Sequence, residues 1–84
     1  MLKIYGSKLC PDCVACLKDL DDAHISYQYC DFSEKLEYLK EFLNLRESEP
    51  VFDAVRSAGA IGIPCLVDEE GNVSLDWSGY VSQV

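Results

Sequence analysis

The segment KIYGSKLCPDCVACLKDL, residues 3–20, carries the clearest structural pattern in the chain. An apolar run over residues 2–5 ends at a glycine, which is typical of a short buried strand. Pro11 suits the first position of a helix because its backbone angle is already helical and its missing amide needs no partner there. One apolar helix face, ending near Ala23, is predicted by the three-residue spacing of Val14, Leu17 and Leu20. The segment therefore predicts a strand, a tight loop and a helix, with Cys10 at the helix N-terminus.

Two further strand and helix patterns follow. Apolar and polar residues alternate over residues 25–30, the period of a strand that is packed on one side. Asp31 is a favourable residue for starting a helix, and the apolar positions after it predict an amphipathic helix to about Leu45. A shorter helix is expected to start around Pro50 and to stop at Gly59.

The last part of the chain predicts a hairpin. Residues 61–67 suggest a third strand, residues 70–72 a turn, and residues 73–77 a fourth strand. Strand and helix alternate first and the hairpin comes last, which favours a mixed sheet whose early strands are parallel. The prediction is one α/β domain over residues 1–84, ordered β-α-β-α-β-β, with a four-stranded mixed sheet and flanking helices.

Composition narrows the range of functions. The 84 residues suffice for one modest core. A formal charge of -8 repels phosphate backbones and anionic lipid surfaces, so neither nucleic acid nor membrane is an expected partner. Neither a signal peptide nor a membrane span is recognisable, and five cysteines are an odd number for a secreted disulfide framework. The expected compartment is the cytoplasm, with mostly reduced thiols.

Cys10 and Cys13 are spaced for redox chemistry. Residues three apart on a helix lie about 5 to 6 Å apart, within the span of a disulfide. At the helix N-terminus, free amides and the positive end of the dipole favour the Cys10 thiolate. Lys8 adds positive charge nearby. Cys10 is therefore the predicted nucleophile and Cys13 the resolving thiol.

Residues 3–20 and the segment GIPCLV at residues 62–67 together make the chain similar to the glutaredoxins and their thioredoxin-fold relatives. The resemblance spans nearly the whole chain. The resemblance implies a thioredoxin-like fold with a shortened C-terminal helix, and the activity of a thiol–disulfide oxidoreductase. It also implies a cis-proline at Pro64 close to Cys10 and Cys13. The backbone of Ile63 would then pair with a substrate peptide or with glutathione.

The resemblance extends to binding residues and partners. Substrate or glutathione binding is implied for Lys8, Pro11, Asp12, Ile63 and Pro64. No metal or organic cofactor is implied, and glutathione is a candidate co-substrate. The expected partner is a protein disulfide or a small-molecule thiol.

The sequence departs from the family pattern at three places. The basic residue that glutaredoxins usually carry three positions before the nucleophile is Ser7 here, and the lysine is displaced to Lys8. Asp12 stands where glutaredoxins usually have an aromatic residue. The segment VSLDWSGY, residues 73–80, stands where they have the Gly-Gly and Asp that hold the glutamyl end. The electron donor is therefore left open between glutathione and a thioredoxin-reductase-type system.

Other interpretations of the cysteines remain open. A zinc or iron–sulfur site would use the thiolates of Cys10, Cys13 and Cys16, with or without Cys65. Cys65 is otherwise a candidate third redox thiol or a buried strand residue, whereas Cys16 is expected in the core. Cys30 is expected to be structural. A third alternative is a redox-silent interaction module on the same fold.

Overall fold

The computed structural model describes residues 1–83, which form four strands and four α-helices. In chain order these elements are β1 (Leu2–Gly6), α1 (Pro11–Asp22), β2 (Tyr27–Asp31), α2 (Leu36–Ser48), α3 (Asp53–Ala58), β3 (Cys65–Val67), β4 (Val73–Ser74) and α4 (Trp77–Ser82). A 3-10 turn over Pro50–Phe52 leads into α3. None of the helices in this part of the chain has the length and apolar character needed to cross a bilayer.

The strands form one mixed sheet in the order β2-β1-β3-β4. β1 pairs in parallel with β2, so that Leu2 lies opposite Tyr27 and Gly6 opposite Asp31. β3 runs antiparallel to both β1 and β4. The predicted α/β class and four-stranded mixed sheet are confirmed. The parallel pairing brings the C-terminal ends of β1 and β2 to one edge, next to the start of α1.

Helices cover both faces of the sheet. On one face, α1 and α4 pack against a core formed by Leu2, Ile4, Cys16, Leu20 and Leu66. On the other face lies a second core, formed by Tyr5, Cys30, Phe42, Phe52 and Cys65. Alternate residues of β1 and β3 therefore contribute to opposite cores, as the two-residue period of a strand requires.

The buried face of α1 agrees with the prediction at Leu17 and Leu20 but not at Val14. Val14 is exposed, and the fully buried positions of the helix are Cys13, Cys16 and Leu20. Cysteine behaves as a small apolar residue when it is buried. Its small size lets α1 approach the sheet closely, so the cysteines occupy the face that was assigned to Val14.

Both predicted strands of the hairpin are shorter in the structure. Ile61 and Ile63 lie in the loop before β3, where Gly62 has a φ of 93° that interrupts an extended strand. Trp77 begins α4 instead of ending β4, because the Asp76 side chain caps that helix by accepting a hydrogen bond from the Gly79 N–H. The resulting C-terminal helix has only six residues.

A truncation at Phe42 tests the core between the sheet and α2. The Phe42 ring contacts the rings of Phe32 and Phe52, with centroid distances of 5.2 and 5.7 Å. We expect Phe42→Ala to lower the free energy of unfolding by about 3–5 kcal/mol in urea titrations, since a buried aromatic ring is lost and a cavity remains. Leu36→Ala is the control on the same helix, because Leu36 is 67% exposed. An equal loss in both variants would contradict this assignment of the core.

Candidate active site

Cys10 lies at the N-cap of α1, as predicted. Its Sγ accepts a hydrogen bond from the Cys13 N–H, with a sulfur–nitrogen distance of 3.4 Å. The preceding loop is tightened by the Cys10 N–H donating to the Ser7 carbonyl at 3.1 Å and the Leu9 N–H donating to Ser7 Oγ at 3.2 Å. Cys10 is partly exposed, whereas the other four cysteines are buried. Its sulfur is therefore the thiol that a solvent-borne disulfide can reach.

Cys13 lies behind Cys10, against the end of β1. It has no exposed surface, and a Cβ added to Gly6 would lie 2.6 Å from its Sγ. Any side chain larger than hydrogen at Gly6 would therefore displace this sulfur. Burial raises the pKa of Cys13 to about 12, the nearby Cys10 sulfur adds to the rise, and a backbone hydrogen bond at Ser7 opposes it. Cys13 is consequently a protonated thiol at neutral pH.

The remaining cysteines are core residues. Cys16 lies on the face of α1 that packs against the sheet, and Cys30 and Cys65 pack in the core on the opposite face of the sheet. Burial raises the pKa of Cys16 and of Cys65 to about 12. All five cysteines are free thiols. Among the side chains of residues 1–83, no three His, Cys, Asp or Glu groups are arranged to hold a metal ion, including the cysteines considered for such a site.

Asp31 is a buried carboxylate beside the active-site loop, which differs from its predicted place at the start of a helix. It ends β2, and α2 begins only at Leu36. Asp31 Oδ1 accepts hydrogen bonds from the N–H and the hydroxyl of Ser33, at 2.9 and 2.7 Å. Its Oδ2 lies 3.7 Å from Lys8 Nζ, which is also 3.9 Å from Glu34. Burial alone would raise the pKa of Asp31, but these hydrogen bonds and Lys8 outweigh burial and lower it.

Tyr29 contributes a second polar group below the site. A Cβ placed on Gly6 would be 3.6 Å from the edge of the Tyr29 ring, so this ring and the Cys13 sulfur both adjoin Gly6. The Tyr29 hydroxyl is buried and has no hydrogen-bond partner within residues 1–83. Burial raises the pKa of Tyr29, and Cys13 and Asp31 raise it further. Tyr29 therefore carries a neutral hydroxyl group, and its ring adjoins Gly6 together with the Cys13 sulfur.

The loop before β3 forms the other side of the site. The Ile63–Pro64 bond is cis, as the resemblance implied. Residues 60–63 line a groove of about 520 Å³ together with Ser7, Leu9 and Cys10. Ile63 is thus brought beside Cys10. Pro11 and Asp12 are exposed on the first turn of α1, outside the lining of this groove.

A larger cavity, of about 720 Å³, lies toward the other end of β1 and β3. Met1, Tyr5, Glu41 and Val67 are among its lining residues, and none of the described residues lining it is a cysteine. The Tyr5 hydroxyl within it already donates a hydrogen bond to Glu41 at 2.7 Å. Size alone therefore does not identify the functional site, and the reactive groups are at the smaller groove.

Sequence reasoning missed three supporting residues: Gly6, Tyr29 and Asp31. Topology provides the signal for Asp31, because the C-terminal ends of parallel strands meet at one sheet edge. Gly6 has a weaker signal, a glycine directly between a strand and a cysteine-containing loop. For Tyr29 the sequence offers only the alternation of apolar and polar residues along the strand. That alternation indicates that the side chain faces inward, but it does not indicate which groups the side chain contacts.

The chain is similar to an uncharacterized protein of Haemophilus influenzae, with 33% identity over 75 residues. The similarity covers 89% of this chain and 87% of that protein. No protein-family model matches the chain, and no solved structure matches it at significant similarity.

Selective alkylation tests the exposure of the thiols. When the reduced, native protein is treated briefly with iodoacetamide near neutral pH, we expect Cys10 to react at least ~10-fold faster than any other cysteine, because the others are buried. Peptide mass spectrometry over a time course measures each rate. In urea all five should react. Labelling of Cys16 or Cys65 as fast as Cys10 in the native protein would refute the arrangement.

The buried carboxylate predicts a specific acid response. Because folding lowers the pKa of Asp31 below 3.8, its charged form stabilises the fold above that pH, and this contribution is lost as the pH falls through the folded-state pKa. We expect Asp31→Asn to be less stable than the natural protein at neutral pH by about 1–3 kcal/mol, since charged hydrogen bonds are lost.

The difference in unfolding free energy between the two proteins should narrow as the pH drops below 3.8. Urea titrations over a pH series measure it. Glu34→Gln is the control, since Glu34 is the exposed second partner of Lys8 and should change stability by less than about 0.5 kcal/mol. A gap that stays constant into acid would disprove the role given to Asp31.

Proposed function

We propose that this chain, which belongs to the same family as the uncharacterized Haemophilus influenzae protein, is a thiol–disulfide oxidoreductase with a thioredoxin-like fold similar to that of glutaredoxins. Cys10 is the nucleophile and Cys13 the resolving thiol. The proposed substrate is a disulfide in a protein or a small molecule. The proposed compartment is the cytoplasm, where thiols are kept reduced.

One observation carries the proposal. The partly exposed Cys10 sulfur accepts the Cys13 N–H at the start of α1, while the Cys13 thiol is buried directly behind it. A helix N-terminus stabilises negative charge on sulfur, and thiolates are the attacking form in disulfide exchange. Further support comes from the β2-β1-β3-β4 sheet and from the cis Pro64, whose loop borders the Cys10 groove.

Reduction of a substrate proceeds in two exchanges. The Cys10 thiolate attacks one sulfur of the substrate disulfide, the substrate S–S bond breaks, and the other substrate sulfur leaves as a thiolate. Cys13 then loses its proton and attacks the Cys10 sulfur, which releases the second substrate sulfur and forms the Cys10–Cys13 disulfide. Two electrons pass from the protein dithiol to the substrate, and both substrate thiolates take up protons.

The surrounding residues have separate roles in this scheme. Burial and the high pKa keep Cys13 protonated until the mixed disulfide has formed, so the order of attack is set by Cys10. Ile63 offers its backbone to an extended substrate beside Cys10. Lys8 contributes less than the sequence suggested, since its ammonium group is paired with Asp31 and Glu34. Its ammonium group faces Asp31 at the end of β2.

Serine substitutions separate the two exchanges. We expect Cys10→Ser to abolish reduction of hydroxyethyl disulfide, because no accessible attacking thiolate remains. Cys13→Ser should instead accumulate a mixed disulfide between Cys10 and one half of the reagent, since the resolving thiol is missing. Intact and peptide mass spectrometry identify the adduct and its position.

Cys16→Ala is the matched control, because it removes a cysteine from the same helix and leaves Cys10 and Cys13 in place. It should keep the activity. Undiminished activity of Cys10→Ser, or an adduct on a cysteine other than Cys10 in Cys13→Ser, would rule out the mechanism.

A further inference from the structure

The groove beside Cys10 continues into a second one. The second groove, of about 380 Å³, shares Ser7, Ala60, Ile61 and Ile63 with the first and extends to α2, where Leu39, Phe42 and Leu43 line it. We call the two together the Cys10 channel. It runs from the candidate nucleophile along the loop before β3 to the surface of α2.

The channel exposes apolar side chains to solvent. Leu9 is 93% exposed, Ile61 61% and Leu43 44%. Single exposed apolar residues are normal on protein surfaces, but a contiguous patch marks a binding site. These three lie along one channel that begins at a candidate reactive sulfur, so the apolar patch is continuous with the site of chemistry.

The loop wall of the channel is held in place before any substrate arrives. Arg46 Nε donates to the Ile61 carbonyl at 3.0 Å, and its Nη2 donates to the Ala60 carbonyl at 2.6 Å. A Cβ on Gly62 would lie 2.8 Å from the Phe52 ring, so this part of the loop packs directly on the core. A preformed surface binds a partner without a further cost for ordering the loop.

Charge in and near the channel disfavours an anionic substrate. Among the described residues that line it, Arg46 is the one charged side chain, and its guanidinium group already bonds to the two loop carbonyls. The nearby Lys8 is paired with Asp31 and Glu34. The whole chain carries a formal charge of -8. An incoming carboxylate therefore meets a repulsive field and no unengaged cation in the channel lining.

We propose that the Cys10 channel binds an extended apolar segment next to a cysteine in a protein disulfide, and that it discriminates against glutathione disulfide. This inference rests on the proposed oxidoreductase function and specifies its substrate class. Glutathione has two carboxylates and one amine, so each half of its disulfide has a net negative charge. An apolar peptide segment instead buries Leu9 and Ile61 without needing a cation.

Single-turnover oxidation of the reduced full-length protein tests the proposal. Three probes are compared: hydroxyethyl disulfide, which is small and neutral, glutathione disulfide, and the symmetrical disulfide of the blocked tripeptide Val-Cys-Leu. Formation of the Cys10–Cys13 disulfide is followed by acid quench and mass spectrometry. We expect the apolar peptide to react at least ~10-fold faster than glutathione disulfide, which corresponds to about 1.4 kcal/mol.

A double variant, Leu9→Ser with Ile61→Ser, tests the channel itself. The readout is the ratio of the rate constants for the apolar peptide and for hydroxyethyl disulfide, which cancels general effects on Cys10. We expect this ratio to fall at least tenfold. The matched control is Leu36→Ser with Val51→Ser, which removes two exposed apolar side chains outside the channel lining and should leave the ratio within twofold.

The outcomes separate the inference from the function beneath it. If glutathione disulfide reacts as fast as the apolar peptide, or if the ratio is unchanged in the double variant, the substrate class is wrong while the oxidoreductase function stands. If none of the three disulfides oxidises Cys10 and Cys13, the proposed function fails and the inference fails with it.

Discussion

The contact between the Cys13 sulfur and the backbone of Gly6 constrains the rest of the site. Because a Cβ at Gly6 would lie only 2.6 Å from that sulfur, α1 can pack this closely on β1 only where a glycine ends the strand and a small side chain faces it. The same contact buries Cys13 and raises its pKa, while Cys10, one helical turn earlier, stays at the surface. The packing of α1 on β1 and the difference in exposure between the two thiols are therefore consequences of one close approach.

Packing also explains how a chain with five cysteines presents one of them to solvent. Cys16, Cys30 and Cys65 fill core positions on both faces of the sheet, where burial disfavours their thiolates. Thiolate character and exposure together determine which cysteine reacts. In this chain Cys10 is the one partly exposed cysteine, and burial raises the pKa values of the other four thiols, so Cys10 is the thiol that the proposed chemistry would use. The high cysteine count is thus largely a feature of core composition, since small polarizable side chains suit a domain of this size.

The sequence was sufficient to predict the sheet, the placement of Cys10 and the stop of α3 at Gly59, because these depend on local period, on Pro11 and on glycine at a helix end. It assigned the buried face of α1 only in part, since Cys16 and Leu20 lie in the core as expected whereas Val14 is exposed. Val14 and the cysteines are both compatible with a helical period, and the choice is made by how closely the helix approaches the sheet. The predicted length of the fourth strand was too great for a similar reason. Its apolar pattern continues to Trp77, but the Asp76 cap and the hydrogen bond from Trp77 Nε1 to Asp19 at 3.0 Å favour a helix packed beside α1.

Two supporting groups of the site, Tyr29 and Asp31, were beyond local reasoning because they belong to a part of the chain distant from Cys10. Asp31 reaches the Cys10 loop only because β2 pairs in parallel with β1, which puts their C-terminal ends together. Its carboxylate then engages Lys8, a cation that the sequence alone places next to the nucleophile. The ion pair changes what Lys8 can do, since an ammonium group that already faces two carboxylates, at 3.7 and 3.9 Å, attracts an incoming anion less than a free one does. Sheet topology thus gives Lys8 its buried ionic partner, and under the proposed function that pairing lowers the attraction of the site for an anionic substrate.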